Sequence, residues 1–277
     1  MQVRFAKMHG LGNDFMVADW PTEAPPPDAD LVRRWADRRL GVGFDQLLLV
    51  LPGEPGKSDA RYRIYNADGG EVEQCGNGAR CIARFVASRR RGDVTGRLVL
   101  DSRAGPIEAL VRDGGVVSVN LGVPSFTPAA LPFDAPAEQD TYRLRLSRGE
   151  VELGAVSLGN PHAVLRVDSV DRADVGILGA ELAVHTAFPQ GVNVGFLEIV
   201  GPDRVRLRVY ERGVGETPAC GTGAAAAVAV GRRWGELGDE VEVELRGGRL
   251  TVRWPGPGQP LWQTGPTTLV YEGLIEL

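Results

Sequence analysis

Two cysteines carry the clearest chemical signal in this sequence. Cys75 and Cys220 each open a Cys-Gly-x-Gly quartet, Cys75-Gly-Asn-Gly78 and Cys220-Gly-Thr-Gly223, and each quartet runs into helical apolar spacing, Ala79 to Arg90 and Ala224 to Trp234. The first turn of a helix has backbone N–H groups without partners and carries the positive end of the helix dipole. A thiol held there is expected to ionise readily, its pKa falling from about 8.5 to roughly 3.5–7.5. The glycines let a ligand reach bare backbone, whose N–H groups can hold a carboxylate. Each quartet therefore reads as a base joined to an anion cradle. Cys81, one turn into its helix beside Ile82 and Phe85, reads instead as a small buried hydrophobe.

Two acid/base thiols facing one carbon suit inversion of a centre that carries a proton: one thiolate removes it and the opposite thiol delivers one to the other face. For an amino acid this is demanding, because acid/base catalysis supplies only about 10²–10⁴-fold. The remainder must come from helix N-termini aimed at the substrate carboxylate in a dry site. Facing thiols could also form a disulfide, which keeps a binding or redox-sensing protein as the alternative, although neither lies in a Cys-x-x-Cys pair. The histidines, His9, His162 and His185, lack ligand-like spacing, so no metal is expected. Lysine occurs only as Lys7 and Lys57, which argues against a pyridoxal-phosphate Schiff base. The expectation is an enzyme without a cofactor.

The elements that must position these residues come in two sets. Asn66 to Gly78 aligns with Glu211 to Gly223 at an offset of 145 residues, while Gly12-Asn13 matches Gly159-Asn160, and Gln46 matches Asn193, at an offset of 147. A tandem duplication of one α+β domain explains this, since a solenoid needs shorter and more numerous repeats. Alternating segments such as Leu98 to Leu100, Val116 to Leu121, Val205 to Tyr210, Val241 to Leu245 and Leu250 to Trp254 read as half-buried strands. A further helical pattern covers Ala29 to Leu40. Pro/Gly-dense breaks at Pro21 to Asp28, Pro124 to Pro136 and Pro255 to Pro260 interrupt the pattern, the middle one near the centre. Two pseudo-symmetric domains facing one cleft are expected.

Length and composition agree with this picture. The 277 residues, 43% hydrophobic and 24% charged with 37 Gly and 19 Pro, suit a globular protein of two domains. A formal charge of −5, with no basic run beyond Arg89 to Arg91, gives no reason to expect nucleic acid or an anionic membrane as partner, so a small molecule is expected. The N-terminus lacks an apolar leader core, no run approaches a membrane span of roughly 18 residues, and three cysteines are sparse for a secreted framework. Reduced thiols in the cytoplasm are the expectation.

At this point the sequence resembles the diaminopimelate epimerase family. The likeness is carried by Lys7 to Phe15, Gly41 to Gln46, Tyr65 to Cys81, Leu158 to Ala163, Gly191 to Val194 and Tyr210 to Gly223. The resemblance implies a cofactor-independent epimerase interconverting LL- and meso-2,6-diaminopimelate for lysine and peptidoglycan-precursor synthesis. It implies Cys75 and Cys220 as the catalytic bases, with His162 and Glu211 assisting. Asn13, Gln46, Asn66, Gly76, Asn77, Asn160, Asn193, Glu211, Arg212, Gly221 and Thr222 would bind substrate, a set suited to an amino acid that presents carboxylate and ammonium groups.

The implied fold is α+β, two similar domains, each a curved and mostly antiparallel sheet around a central helix. Residues 1–119 with 265–277 would form the domain carrying Cys75, and 120–264 the domain carrying Cys220. The strand Leu269 to Gly273 would return to the first domain, and Tyr271 would sit in a homodimer interface. Two departures are mild: Ala224 to Ala227 stand where relatives often place another cysteine, and Ala163 stands where cysteine is frequent. A proline or hydroxyproline racemase is the nearest competing enzyme, but the asparagine set and Arg212 argue for a substrate with a distal amino-acid end.

Overall fold

The computed structural model describes residues 1–72, 76–89, 95–103 and 105–277. The chain divides into two compact units, Met1–Asn120 with Thr264–Leu277, and Leu121–Gln263.

In the first unit β1 (Gln2–Gly10) and β2 (Asn13–Asp19) form a hairpin. Leu11 and Gly12 join them with φ of 58° and 85°, the primed-turn geometry that matches the twist of the strands. Helix α1 (Ala29–Ala36) starts where the Asp28 carboxylate accepts the Leu31 N–H, and it buries Val32 and Trp35. It ends before the expected Leu40, because the Asp37 carboxylate accepts the N–H groups of Arg39 and Leu40 and turns the chain. Strand β3 (Gln46–Pro52) runs parallel to β2 and antiparallel to β4 (Ala60–Asn66), which also pairs with β5 (Glu71–Val72). Helix α2 (Gly76–Ala87) is buried over most of its length. Strand β6 (Gly96–Ser102) runs parallel to β4, and β7 (Gly105–Val111) and β8 (Val116–Asn120) follow in antiparallel succession.

The second unit repeats this order. Strands β9 (Tyr142–Leu146), β10 (Gly149–Ser157) and β11 (Pro161–Arg166) are antiparallel neighbours. Helix α3 (Val175–Ala183) follows, then β12 (Asn193–Gly201), parallel to β11, and β13 (Arg204–Glu211), antiparallel to β12. After β14 (Gly215–Thr217) comes α4 (Gly221–Arg233), then β15 (Glu240–Leu245), parallel to β13, and β16 (Gly248–Arg253). The unit boundary falls inside β17 (Trp262–Pro266), and β18 (Thr268–Glu276) pairs antiparallel with β1.

The repetition extends to register. Leu47 stands opposite Tyr65 as Val194 stands opposite Tyr210, and Ala60 pairs with Leu100 as Val205 pairs with Val243. Both central helices begin at the glycine after the cysteine, three residues before the alanine at which apolar spacing begins. Glycine weighs against helix in propensity, but in the buried first turn of α4 a Cβ on Gly223 would lie 3.1 Å from the Val209 side chain and 3.2 Å from that of Cys220. In α4 the run Ala224 to Ala227 is wholly buried, and in α2 Cys81 is wholly buried beside Ile82, as its small apolar character suggests. The sheets close over apolar cores: Trp20, Trp35 and Phe44 in the first unit, and Phe133, which stacks on Phe188 and meets Tyr142 edge-on, in the second.

Candidate active site

Each unit carries one half of the expected residue set. In the second unit Cys220 occupies the N-cap of α4 in an extended conformation, and its sulfur accepts the Gly223 N–H at 3.4 Å. Thr222 Oγ1 lies 3.6 Å from the same sulfur. The side chain is buried. Burial first, and the Glu211 charge second, push this thiol well above the ordinary cysteine value, outweighing the opposite pull of Thr222 and Gly223. The expectation of an easily ionised thiol at the helix start is therefore overturned for Cys220. Removing the anion from water costs more than a capping N–H and the helix terminus return.

Around Cys220 the side chains form a connected set. Asn160 donates from Nδ2 to Thr222 Oγ1 at 3.3 Å, and its Oδ1 lies 3.0 Å from His162 Nε2. His162 is buried, and its pKa is pushed down to about 3, by burial and then by the Arg212 charge. It is therefore a neutral imidazole that donates its Nε2 proton to Asn160. Asn193 donates to the Pro161 carbonyl at 3.2 Å and accepts the Arg212 N–H at 3.0 Å. The exposed Arg212 guanidinium donates to the Gln190 carbonyl at 2.6 Å. Thr217 donates its hydroxyl to Glu211. Gly221 and Thr222 supply the first backbone positions of α4.

In the first unit Asn77 stands in the opening turn of α2, directly after Gly76, and donates from Nδ2 to Asn13 Oδ1 at 3.3 Å. Gln46 donates from Nε2 to Asn66 Oδ1 at 2.9 Å, while its Oε1 is buried without a hydrogen-bond partner, an acceptor that a ligand N–H would satisfy. Cys75 lies outside the described residues. The other sequence-derived site candidates thus fall into two groups, one in each unit, and Tyr271 stands on β18, opposite Lys7 and edge-on to Phe5.

Comparing the halves shows where they differ. Phe15, Gln46 and Asn66 form one row across β2, β3 and β4. The matching row holds His162 and Asn193 on β11 and β12, and Glu211 continues it at the end of β13. The fold is duplicated, but the titratable pair flanking the thiol is present only in the second row.

Several residues of the first site were not anticipated. Asp14 is held by Lys7, which also donates to the Gly43 carbonyl, and by Arg38 at 2.8 and 2.9 Å. Burial raises the Asp14 pKa, but Arg38 and Lys7 outweigh it and hold the carboxyl well below the usual range. Asp45 accepts from both Arg38 and Asn13. Arg80 is fully buried and donates to Asn77. Apart from the i,i+3 pair Asn77 and Arg80 within α2, no spacing announces these contacts, since their partners come from separate strands and loops. Among the described residues no group of His, Cys, Asp and Glu is arranged to hold a metal ion, and no helix is long and apolar enough to cross a membrane.

Comparison with known proteins places this geometry. The family model described as diaminopimelate epimerase matches residues 5–127 and 154–270. Proteins named diaminopimelate epimerase from Pseudomonas paraeruginosa and Stutzerimonas stutzeri are 52% and 51% identical, over 100% of this chain and of theirs. Among solved structures, a hydroxyproline epimerase from Agrobacterium vitis has a TM-score of 0.71 at 20% identity, covering 99% of this chain and 92% of that one. A probable proline racemase from Agrobacterium radiobacter K84 has a TM-score of 0.70 at 19% identity, with the same coverage. At those identities the structural likeness shows the fold, α+β and shared with these enzymes, while the full-length relatives and the matched model show the family. The chain belongs to the diaminopimelate epimerase family.

Proposed function

We propose that the chain is a cofactor-independent epimerase that interconverts LL- and meso-2,6-diaminopimelate, with Cys75 and Cys220 as its two proton-transfer groups. The observation that carries this reading is the setting of Cys220: a buried sulfur at the N-cap of α4, flanked by Glu211 and Thr222. The names of the full-length relatives at 51–52% identity supply the substrate.

The chemistry follows from that setting. In the protein without substrate Cys220 is a thiol, competent to donate a proton to a carbanion. Cys75, as thiolate, removes the α-proton in that direction, and the roles exchange in the reverse one. A bound ammonium group would offset the Glu211 charge that keeps Cys220 protonated, so substrate binding itself favours the thiolate. The amide groups at the start of α4 stabilise negative charge growing on the substrate carboxylate. His162, neutral and fixed by Asn160, orients groups rather than supplying charge. Gln46, Asn66, Asn13 and Asn77 from one unit, and Asn160, Asn193 and Arg212 from the other, hold the remaining carboxylate and ammonium groups.

Two further features belong to the proposal. Leu269, Val270, Tyr271 and Leu274 of β18 are exposed, and this apolar strip suits a homodimer contact that includes Tyr271. A reaction that needs two reduced thiols suits the cytoplasm, where its product would feed lysine and peptidoglycan-precursor synthesis.

The test is proton NMR of the reduced protein with LL-diaminopimelate in D₂O, run beside L-proline. Loss of the α-proton signal with appearance of the meso isomer is the expected result. Exchange of proline alone, or of neither compound with the thiols titrated as reduced, overturns the reading.

A further inference from the structure

We infer that Arg80 and Asp45 are positioning residues that together fix which way the Asn13 and Asn77 side-chain amides face. An asparagine amide offers a donor at one end and an acceptor at the other, so a binding site built on asparagines works only if something decides the orientation. In the first unit four side chains form one directed chain. Arg80 Nη2 donates to Asn77 Oδ1 at 2.6 Å, Asn77 Nδ2 donates to Asn13 Oδ1 at 3.3 Å, and Asn13 Nδ2 donates to Asp45 Oδ2 at 3.0 Å.

The two ends of this chain are chemically unambiguous. A guanidinium only donates and an ionised carboxylate only accepts. With a pure donor at one end and a pure acceptor at the other, the two amides between them have a single arrangement that satisfies every link. Turning either amide over sets two donors or two acceptors against each other at both of its contacts, a mismatch that costs most at the buried Arg80–Asn77 end. Arg38 also grips the acceptor end, donating from Nη2 to Asp45 Oδ1 at 2.7 Å. Arg80 itself is fully buried, so its charge is held in place by packing and cannot swing to solvent.

The second unit has no counterpart to these ends. The repeat places Ala225 opposite Arg80 and Val192 opposite Asp45, and there Asn160 sits between the Thr222 hydroxyl and the neutral His162 ring, groups that can each donate or accept, where a guanidinium only donates and a carboxylate only accepts. The relay is thus a feature of the first half-site, where the facing residues at positions 13 and 77 are both amides.

This inference rests on the proposed function for its kinetic readout, since Asn13 and Asn77 are taken there as substrate contacts. The experiment compares Asp45→Asn, Arg80→Met and Arg80→Lys with the unmodified enzyme. Asp45→Asn and Arg80→Met are expected to raise KM for LL-diaminopimelate by about tenfold while kcat changes by less than about threefold, the signature of lost ground-state binding. Arg80→Lys keeps a buried donor without an acceptor and is expected to restore KM to within about threefold of the unmodified enzyme. Equal impairment of Arg80→Lys and Arg80→Met, or an unchanged KM in Asp45→Asn, overturns the inference.

A second measurement needs no substrate. The ¹⁵N side-chain amide signals of Asn13 and Asn77, assigned through Asn13→Ala and Asn77→Ala, are expected to show slow hydrogen exchange in the unmodified protein. In Asp45→Asn, a change at a half-exposed residue that leaves the core intact, both signals are expected to shift and exchange faster. Should the enzyme show no turnover of diaminopimelate, these signals still decide the matter: unchanged signals in Asp45→Asn refute the relay, and altered ones support it.

Discussion

The Cys220 sulfur accepts the N–H of Gly223 at 3.4 Å, so the residue that starts α4 is also the residue whose chemistry matters most. This N-cap bond favours the thiolate, but burial and the Glu211 charge favour the thiol more strongly, and the thiol prevails. A protonated resting Cys220 fits a proton donor that waits for its substrate.

Replacing Glu211 by Gln removes the charge that raises the thiol, so the pKa of Cys220 is expected to fall. The measurement is the pH profile of alkylation by iodoacetamide in a Cys75→Ala, Cys81→Ala background, with and without Glu211→Gln. The midpoint is expected to move to lower pH. An unmoved midpoint, or one moved upward, removes Glu211 from the electrostatics of the thiol.

His162 is held neutral by burial and by Arg212, with a pKa pushed down to about 3. Its ring ¹⁵N signals are therefore expected not to titrate between pH 5 and 8. The sign for stability follows: the unfolded chain takes up a proton near pH 6.5 and the folded one does not. The contribution is complete above that pH and is lost as pH falls toward 3, at about 1.4 kcal/mol per pH unit. Chemical denaturation from pH 7 to 4.5 checks this, and His162→Gln is expected to flatten that part of the slope.

Arg208 grips Glu216 through two bonds of 2.7 and 2.9 Å, and 145 residues earlier Arg63 grips Glu71 through two bonds of 2.8 Å. Arg208 also donates to the Val170 carbonyl at 2.7 Å, and it is the more buried of the two arginines. Arg208→Met is expected to cost about 2 kcal/mol at pH 7, between the values for exposed and buried pairs, and Arg63→Met less. Glu216 has a lowered pKa, with the Arg208 hydrogen bond the largest cause. Its contribution is present above the unfolded carboxyl pKa of about 4.3 and is lost as pH falls through the folded value, so the gap between Arg208→Met and the unmodified protein is expected to close in acid.

A methyl group built on Gly179 in α3 would lie 2.6 Å from the Tyr210 side chain. Gly179→Ala is expected to destabilise by about 1–3 kcal/mol through overpacking, read from denaturant midpoints. A neutral effect would mean that α3 can move away from β13 without cost.

How much of this was legible in the sequence depends on the kind of signal. The repeat aligned Glu71 with Glu216 and Asn66 with Glu211, because duplication preserves order, and the α+β class followed from that duplication, with many strand patterns and three helical ones. Asn13, Asn77, Asn160, His162 and Thr222 were named from the family resemblance, which gave the residues but not the contacts among them. Helix α3 was not read, since Gly176 and Gly179 weaken its helical pattern and only the approach of Tyr210 explains the second glycine. The ionisation of Cys220 was misjudged because the N-cap position is visible in a motif, whereas burial and a carboxylate nine residues away are not. The Lys7, Asp14, Arg38 and Asp45 cluster was invisible for a related reason: its members meet only after β1, β2 and the loop after α1 have been brought together.

The most direct test of the two-thiol chemistry is the deuterium content of substrate and product at early conversion of LL-diaminopimelate in D₂O. Two separate proton-transfer groups deliver solvent deuterium to the new face, so the meso product is expected to carry deuterium at the inverted carbon while recovered LL substrate keeps its proton. Product that retains the substrate's own proton would show a single group working on both faces, and would contradict the pairing of Cys75 with Cys220.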